Sequence, residues 1–209
     1  VGFLTMSEMT SQIKIISDAV NVPLIADGDT GYGNPLNVMR TVKEYEKAGA
    51  SGIILEDQQW PKRCGHMEGK QVIPKEEHIK KIEAALEVRS SREFIIIART
   101  DSLAVTGIEE AVERGKAYRD AGADVVFIEA PRSLEELSFI RKAIQDVPLV
   151  ANIIEGGKTP YLPARVLKEM GYEIMFCGLT AVLVIAKAFM DAMIHLKKEG
   201  STQGWLERM

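Results

Sequence analysis

The fold is indicated by residues 52–57, which read Gly-Ile-Ile-Leu-Glu-Asp. This is an apolar run of the length of one buried strand, and it ends in two carboxylates. The same design recurs along the chain, where short apolar runs end in polar residues at 27–29, 99–101, 129 and 152. Segments with helical spacing of apolar residues lie between these runs. We therefore predict a regular alternation of strands and helices.

The spacing of the apolar runs predicts a parallel sheet covered by helices. Strands are predicted to start near residues 23, 52, 94, 125, 148 and 174. Most intervals are about 30 residues, the size of one strand–helix–strand unit. Helices are predicted over residues 7–19, 35–48, 74–88, 108–121, 134–144, 163–170 and 180–198. The longest interval, from 52 to 94, also holds a loop rich in polar residues.

The polar residues at the strand ends favour a (β/α)₈ TIM barrel over a doubly wound sheet. In a barrel the carboxyl ends of all strands meet at one mouth, where the active site lies. A doubly wound sheet binds ligands only near its switch point. The chain supplies six strands of the eight, so we expect the first two strands to precede Val1. We interpret residues 1–209 as a single α/β-barrel domain, truncated at its N-terminus.

The composition excludes several classes of partner. The chain has 209 residues, of which 46% are hydrophobic and 27% charged, and its net charge is −4. This balance is typical of a soluble domain and argues against a nucleic-acid groove. No apolar run approaches the roughly 20 residues that span a bilayer, so we expect no membrane partner. Cys64 and Cys177 occupy unlike settings and do not indicate a disulfide, which favours a cytoplasmic protein.

A set of carboxylates predicts a divalent metal site. Asp27 and Asp29 flank Gly28 in a glycine-rich turn, and Glu56 ends the next strand, with Asp57 beside it. Oxygen ligands of this kind suit Mg²⁺ or Mn²⁺. The alternative is a solvated turn whose aspartates cap the following helix.

The loop after Glu56 contains a candidate catalytic cysteine. Cys64 follows Lys62 and Arg63 and stands two residues before His66. Cations beside a thiol favour its ionised form, so Cys64 could work as an acid or base near neutral pH. The alternatives are an ordinary loop cysteine and the nucleophile of a Cys/His hydrolase.

Three further strand ends carry residues suited to an anionic substrate. Arg99 could bind a carboxylate or a developing enolate oxygen, and Glu129 ends the following strand. Asn152 begins a polar, glycine-rich loop that reaches Thr159 and could bind an anion. The alternatives are structural ion pairs and a flexible connection.

Outside these strand ends, we predict that His78 and His195 lie on the surface. The apolar helix from 180 to 196 is interpreted as a packing helix, with a subunit contact as one use for it.

The motifs resemble those of the isocitrate lyase / phosphoenolpyruvate mutase superfamily. In chain order they are Asp-Gly-Asp-Thr-Gly-Tyr-Gly, Lys-Arg-Cys-Gly-His, Ala-Arg-Thr-Asp, Glu-Ala-Pro and Ala-Asn-Ile-Ile-Glu-Gly-Gly-Lys-Thr-Pro. The Lys-Arg-Cys-Gly-His loop is similar to that of the carbon–carbon lyases. Gln59-Trp60-Pro61 and the stretch from Glu155 to Pro160 are most similar to the branch with 2,3-dimethylmalate lyase, the petal death protein and carboxyphosphonoenolpyruvate mutase.

The resemblance implies a (β/α)₈ barrel that assembles as a homotetramer and exchanges its last helix between neighbours. It implies that Asp27 binds Mg²⁺ directly, while Asp29 and Glu56 hold the waters of the ion. It also implies a metal-shell acid and a Ser-Gly-Tyr-type segment upstream of Val1. The C-terminal exchanged segment is short in comparison with the family.

The resemblance also assigns the substrate contacts. Arg99, Glu129 and Asn152 would contact the 2-oxo-acid part of the substrate. Cys64 would lie on a gating loop, with Gly65 and His66 holding the distal carboxylate.

These assignments predict a Mg²⁺-dependent carbon–carbon lyase. Its substrate would be a 2-hydroxy di- or tricarboxylate similar to methylisocitrate or dimethylmalate, cleaved to a 2-oxo acid such as pyruvate and a carboxylate. The alternatives on the same scaffold are a carboxyphosphonoenolpyruvate or phosphoenolpyruvate phosphonomutase and an oxaloacetate decarboxylase. The non-enzymatic alternative is a truncated, inactive relic.

Overall fold

The computed structural model describes residues 2–205, which form six strands and eight helices. The strands are β1 (Ile25–Asp27), β2 (Gly52–Glu56), β3 (Ile95–Thr100), β4 (Val125–Ile128), β5 (Val150–Asn152) and β6 (Ile174–Phe176). The helices are α1 (Met6–Ala19), α2 (Pro35–Lys47), α3 (Lys75–Val88), α4 (Leu103–Thr106), α5 (Ile108–Asp120), α6 (Leu134–Ala143), α7 (Ala164–Glu169) and α8 (Thr180–Glu199).

All strand pairs are parallel and follow the order of the chain. Strands β1 to β4 form one sheet and β5 pairs with β6. The two sheets are joined by a parallel bridge between Val126 and Leu149, where the Val126 amide donates to the Pro148 carbonyl at 3.0 Å. The six strands therefore make one continuous parallel series, so their carboxyl ends lie along one edge.

One face of this series encloses an apolar cluster to which every strand contributes. Its buried members are Ile97, Val125, Phe127 and Val150, and its partly buried members are Ile25, Ile54, Ile95, Ile174 and Phe176. Because residues of β1 and β6 pack in the same cluster, the sheet curves around it. This is the arrangement of a barrel interior, where inward side chains fill the space between strands.

The other face of the sheet packs against the helices. The apolar side chains there form two larger clusters, one centred on α2, α3 and β1 to β3 and the other on α5, α6 and β4 to β5. Local sequence fixes where these helices start. At α2 the Asn34 side chain accepts hydrogen bonds from the Leu36 and Asn37 amides, and Pro35 takes the first helical position.

The structure confirms the predicted α/β class, the six parallel strands and the seven predicted helices. It adds the four-residue helix α4, which is too short to be recognised by periodicity. Arg99 lies inside β3 rather than after it. Within residues 2–205, β1 and β6 each pair with one neighbour, so closure into an eight-stranded ring stays a prediction.

Asp57 belongs to the sheet–helix layer and does not join the carboxylates that the sequence predicts to bind a metal. Its side chain is fully buried and accepts hydrogen bonds from the Thr100 hydroxyl at 2.7 Å and the Tyr118 hydroxyl at 2.8 Å. Arg114 of α5 donates to it at 3.0 Å, and the Asp101 amide also at 3.0 Å. Asp57 therefore ties β2 to β3 and α5, and its oxygens are already occupied.

The prediction that His78 lies on the surface is wrong. His78 is fully buried on α3, and its ring lies 4.7 Å from the Tyr118 ring. Ile82 and Ala85 are buried on the same face of the helix, as a spacing of four and seven residues requires. Burial, together with the charges of Lys81 and Arg114, lowers the pKa of His78 to about 3.

The buried imidazole makes the stability of the protein depend on pH. Between about pH 6.5 and 3, unfolded His78 binds a proton that the folded protein excludes, so the free energy of unfolding falls as the pH is lowered. One such group contributes a slope of up to about 1.4 kcal/mol per pH unit. We expect His78→Gln to flatten this slope in urea unfolding at pH 4 to 6.5. His195→Gln, at a partly exposed position on α8, should keep it; equal slopes in all three proteins would contradict the assignment.

Helix α8 has no buried residue among the residues that the structure describes. Val184 and Ile185 are 62% and 68% exposed, and Phe189 is 64% exposed. An apolar surface of this extent is typical of an interface. None of the described helices is both long enough and apolar enough to cross a bilayer.

Candidate active site

The alternation of side chains along the strands brings the predicted site residues to one place. In β2 and β3, Ile54 and Ile97 point into the interior cluster, and Glu56 and Arg99 follow two residues later. Residues two apart on a strand share a face, so the polar side chains lie directly above the apolar interior. Asp27, Glu129 and Asn152 follow interior residues of their own strands in the same way.

Asp27, Asp29 and Glu56 converge as the sequence predicts, with the ammonium group of Lys62 between them. Lys62 Nζ lies 2.5 Å from Asp29 Oδ1, 3.4 Å from Glu56 Oε2 and 3.5 Å from Asp27 Oδ2. In this arrangement, residues 2–205 contain no group of three acidic, histidine or cysteine side chains close enough to bind one metal ion together. The three carboxylates nevertheless share one cation, and that cation is supplied by the chain.

The state of Glu56 fits a divalent ion at this position. Its side chain is 1% exposed, and its Oε1 atom has no hydrogen-bond partner among the described residues. Burial raises the pKa of Glu56 to about 8, against the opposing charges of Arg99 and Lys62. A buried carboxylate oxygen without a donor, beside two further carboxylates, suits a hard cation such as Mg²⁺.

Arg99 links the two halves of the site. Its guanidinium donates to Asp101 from Nε at 2.9 Å and from Nη2 at 3.1 Å, and it lies over the Phe127 ring at 5.0 Å. Its Nε is 3.6 Å from Glu56 and its Nη2 is 3.8 Å from Glu129. Although burial disfavours the charge, these carboxylates raise the pKa of Arg99 well above its ordinary value. Arg99 is therefore a fixed positive charge above the interior cluster.

Glu129 is held in its ionised form. Although burial opposes ionisation, Arg99 and His66 together with a hydrogen bond from Asn152 keep the pKa of Glu129 below its usual range. Asn152 Nδ2 donates to the two carboxylate oxygens at 3.2 and 3.3 Å. His66 Nε2 lies 2.9 Å from Glu129 Oε1, although without the alignment of a regular hydrogen bond.

The loop of residues 57–74 covers this group of side chains. Gly65 packs so closely that a β-carbon there would lie 2.3 Å from Glu129 Cγ and 2.5 Å from Arg99 Nη2. The buried Lys70 ammonium braces the turn by donating to the carbonyls of Gly65 and Met67. Cys64 stands on the exposed side of this turn, next to the residue that touches the site.

The loop after β5 meets the loop of residues 57–74 from the opposite side. The Lys158 amide donates to His66 Nδ1 at 2.9 Å, and the Lys158 ammonium pairs with Glu68. A β-carbon on Gly157 would lie 2.7 Å from His66 Nδ1, so a glycine is needed there. Thr159 is buried, and its hydroxyl finds no partner within the described part of the chain. A buried, unpaired hydroxyl is available to a ligand.

The contact of Gly65 predicts a selective loss of activity. In Gly65→Ala the added methyl group cannot fit against Glu129 and Arg99, so the loop is displaced while the sheet beneath it is unchanged. We expect the variant to lose about 10² in activity, because small displacements of positioning groups are costly. Its melting temperature should stay close to that of the unmodified protein. The matched control is Gly178→Ala, where the nearest atom is the end of Ile154 at 3.3 Å; full activity in Gly65→Ala would contradict the predicted role of the loop.

A cavity of about 840 Å³ does not coincide with these residues. It is lined by residues 2–6 together with residues such as Trp60 and Lys81. The site is therefore defined by its converging polar groups and by the loop that covers them.

A parallel sheet that brings carboxylates and a buried arginine to its carboxyl edge, beneath a loop that carries a cysteine, is typical of α/β-barrel enzymes. The chain belongs to the phosphoenolpyruvate phosphomutase family, whose model matches residues 2–197.

Characterised relatives match the chain over its whole length. It is 48% identical over 209 residues to 2,3-dimethylmalate lyase of Eubacterium barkeri and 44% identical over 209 residues to the petal death protein of Dianthus caryophyllus. The chain covers 72% of the first relative and 65% of the second, so it spans about two thirds of their length.

Solved structures support the same family. A crystal structure of 2,3-dimethylmalate lyase, a PEP mutase/isocitrate lyase superfamily member, matches 97% of this chain and 68% of its own, with a TM-score of 0.92 and 38% identity. A phosphonopyruvate hydrolase in complex with oxalate and Mg²⁺ matches 97% of this chain and 70% of its own, with a TM-score of 0.84 and 34% identity.

Proposed function

We propose that this protein is a Mg²⁺-dependent carbon–carbon lyase. Its substrate would be a 2-hydroxy di- or tricarboxylate similar to dimethylmalate or methylisocitrate, and its products a 2-oxo acid such as pyruvate and a carboxylate. The observation that carries the proposal is the position of the Cys64–Gly65–His66 turn. This turn packs on Arg99 and Glu129, and Lys62 of the same loop reaches the carboxylates.

Asp27, Asp29 and Glu56 would hold the metal ion, as hard oxygen ligands above the interior cluster. When bound, Mg²⁺ (or Mn²⁺) would supply Lewis-acid stabilisation of charge on the oxygens of the substrate. The unpaired Glu56 Oε1 and the raised pKa of Glu56 support this assignment.

The protein's own groups account for the remaining chemistry. Arg99 stabilises negative charge on the oxo-acid oxygens. Asn152 orients Glu129, which is ionised before the reaction and can therefore accept the proton of the 2-hydroxyl group. As the C2–C3 bond breaks, its electron pair stays on C3 next to a carboxylate. Cys64 gives its proton to C3, so one proton leaves oxygen and one arrives at carbon.

The distal end of the substrate would meet the two loops that close over the site. Gly65 and His66 come from the loop of residues 57–74, and Thr159 offers an unpaired hydroxyl from the loop after β5. We assign these three residues to substrate binding. The His66 ring and the unpaired Thr159 hydroxyl are polar groups that suit a second carboxylate at the far end of the molecule.

We further propose a cytoplasmic homotetramer built from single barrel domains, with α8 as a contact between subunits. The exposed apolar face of α8 supports such a contact. Its partners in the reaction would be small carboxylates, without nucleic acid or membrane. Light scattering measures the molar mass in solution, and a mass other than that of four chains would contradict this assembly.

The test is turnover of candidate substrates by the purified protein in the presence of Mg²⁺, with the products, including any 2-oxo acid released, identified by NMR. The substrates are 2,3-dimethylmalate, 2-methylisocitrate, isocitrate and oxaloacetate, with phosphonopyruvate as the probe for phosphonate chemistry. Release from a hydroxy acid that EDTA abolishes supports the lyase. Turnover of oxaloacetate alone would support a decarboxylase, turnover of the phosphonate alone a mutase or hydrolase, and no turnover at all an inactive relic.

A further inference from the structure

Lys62 occupies the position that the proposed function gives to a divalent ion. Its side chain is only 7% exposed, and its Nζ lies within 3.5 Å of Asp27, Asp29 and Glu56. Its ammonium group is therefore a cation held by the same three side chains.

An ammonium group and a divalent ion cannot share this position. Mg²⁺ binds oxygens at about 2.0–2.1 Å and keeps its own waters, which requires the space that the ammonium group fills. Two cations at such short range also repel each other strongly. Glu56 Oε1, buried and without a partner among the described residues, remains as a ligand atom that Lys62 leaves unused.

We propose that Lys62 is an internal cation that neutralises the metal site when the ion is absent and is displaced when the ion binds. The inference rests on the proposed metal site and adds to it an exchange between two cations. Because Lys62 belongs to the loop of residues 57–74, the exchange links the metal to the position of that loop. Because the two cations compete for the carboxylates, the Lys62 ammonium group lowers the affinity of the site for the metal ion, and by linkage the metal ion disfavours Lys62 in the site to the same extent.

The neighbouring residues show why Lys62 carries this role within the loop. Arg63 is exposed, and its guanidinium donates to the Glu68 carbonyl at 3.3 Å. Lys70 is turned towards the carbonyls of its own loop. Trp60, two residues before Lys62, is 49% exposed and would report on displacement of the chain.

The experiment compares Mg²⁺ binding by calorimetry in the unmodified protein, in Lys62→Met and in Arg63→Met. The second variant removes a neighbouring positive charge that does not touch the carboxylates. We expect Lys62→Met to bind Mg²⁺ at least tenfold more tightly, about 1.4 kcal/mol, and Arg63→Met to change the affinity by less than threefold. Unchanged or weaker binding in Lys62→Met would overturn the proposal, because Lys62 would then coexist with the ion.

The fluorescence of Trp60 gives a second readout that does not depend on activity. In a Trp205→Phe background, Mg²⁺ should shift the emission of Trp60 when Lys62 is present and leave it unshifted in Lys62→Met. A shift that persists in Lys62→Met would also overturn the exchange. If neither protein binds Mg²⁺, the metal site itself is wrong and the inference falls with it. If only the unmodified protein binds, the metal site stands and the inference alone fails.

Discussion

Cys64→Ser is expected to lower kcat by about 10²–10⁴-fold while leaving substrate affinity nearly unchanged, because a general acid contributes on this scale. Serine has almost the same size as cysteine, so the turn next to Gly65 can keep its packing on Arg99 and Glu129. A serine hydroxyl is a much weaker acid than a thiol, so the carbanion would wait for a proton from water. The measurement is kcat from oxo-acid release, with affinity from calorimetry.

The matched control for this prediction is Cys177→Ser. Cys177 is also a free, exposed cysteine, and it directly follows β6, away from the loop of residues 57–74. Its replacement should leave kcat within about twofold of the unmodified enzyme, as for a surface substitution away from special features. A Cys64→Ser enzyme with unchanged kcat, or equal losses in both variants, would exclude Cys64 as the proton donor.

Arg99→Lys is expected to lower kcat/KM by about 10²–10³-fold, the cost of losing one preorganised group that stabilises charge on oxygen. Lysine keeps the positive charge but cannot reproduce the two parallel bonds to Asp101, at 2.9 and 3.1 Å. Its ammonium group would therefore sit in a different place relative to Glu56 and Glu129. In Arg99→Met these carboxylates lose their common cation, and we expect the free energy of unfolding to fall by about 3–5 kcal/mol.

Arg114→Lys separates catalysis from stability in this comparison. Arg114 also pairs with a buried aspartate, Asp57, at 3.0 Å, but on the helix side of the sheet. We expect its replacement to lower the unfolding free energy and leave kcat/KM within about threefold. Comparable losses of kcat/KM in the two lysine variants would mean that Arg99 acts only through the fold.

The fold and most of the site follow from one rule of sequence. Side chains alternate between the two faces of a strand, so an apolar residue and a polar residue two positions later lie on the same face. Ile54 with Glu56 and Ile97 with Arg99 follow this rule, and the same rule turns Asp57 to the other face. Applied residue by residue, the alternation alone separates Asp57 from the carboxylates proposed to bind the metal.

Other features depend on the third dimension. In the sequence, Lys62 is notable only as a neighbour of Cys64. A loop sequence does not show which of its side chains contacts Asp29, which lies 33 residues earlier, just after β1. The contact of the Lys158 amide with His66 joins two loops that are 92 residues apart. By contrast, the helical spacing of His78 with Ile82 and Ala85 predicts that it is buried, and only the polarity of its side chain favours a position on the surface.

The division between Glu56 and Asp57 has a genetic consequence. These adjacent codons encode side chains that point to opposite faces of one strand end, one towards Lys62 and Arg99 and the other towards Arg114 and Tyr118. Selection for soluble protein alone would tolerate changes at Glu56 and reject them at Asp57. Alleles that change the first codon would then encode abundant but inactive protein, whereas alleles that change the second would be detected by a smaller amount of folded protein.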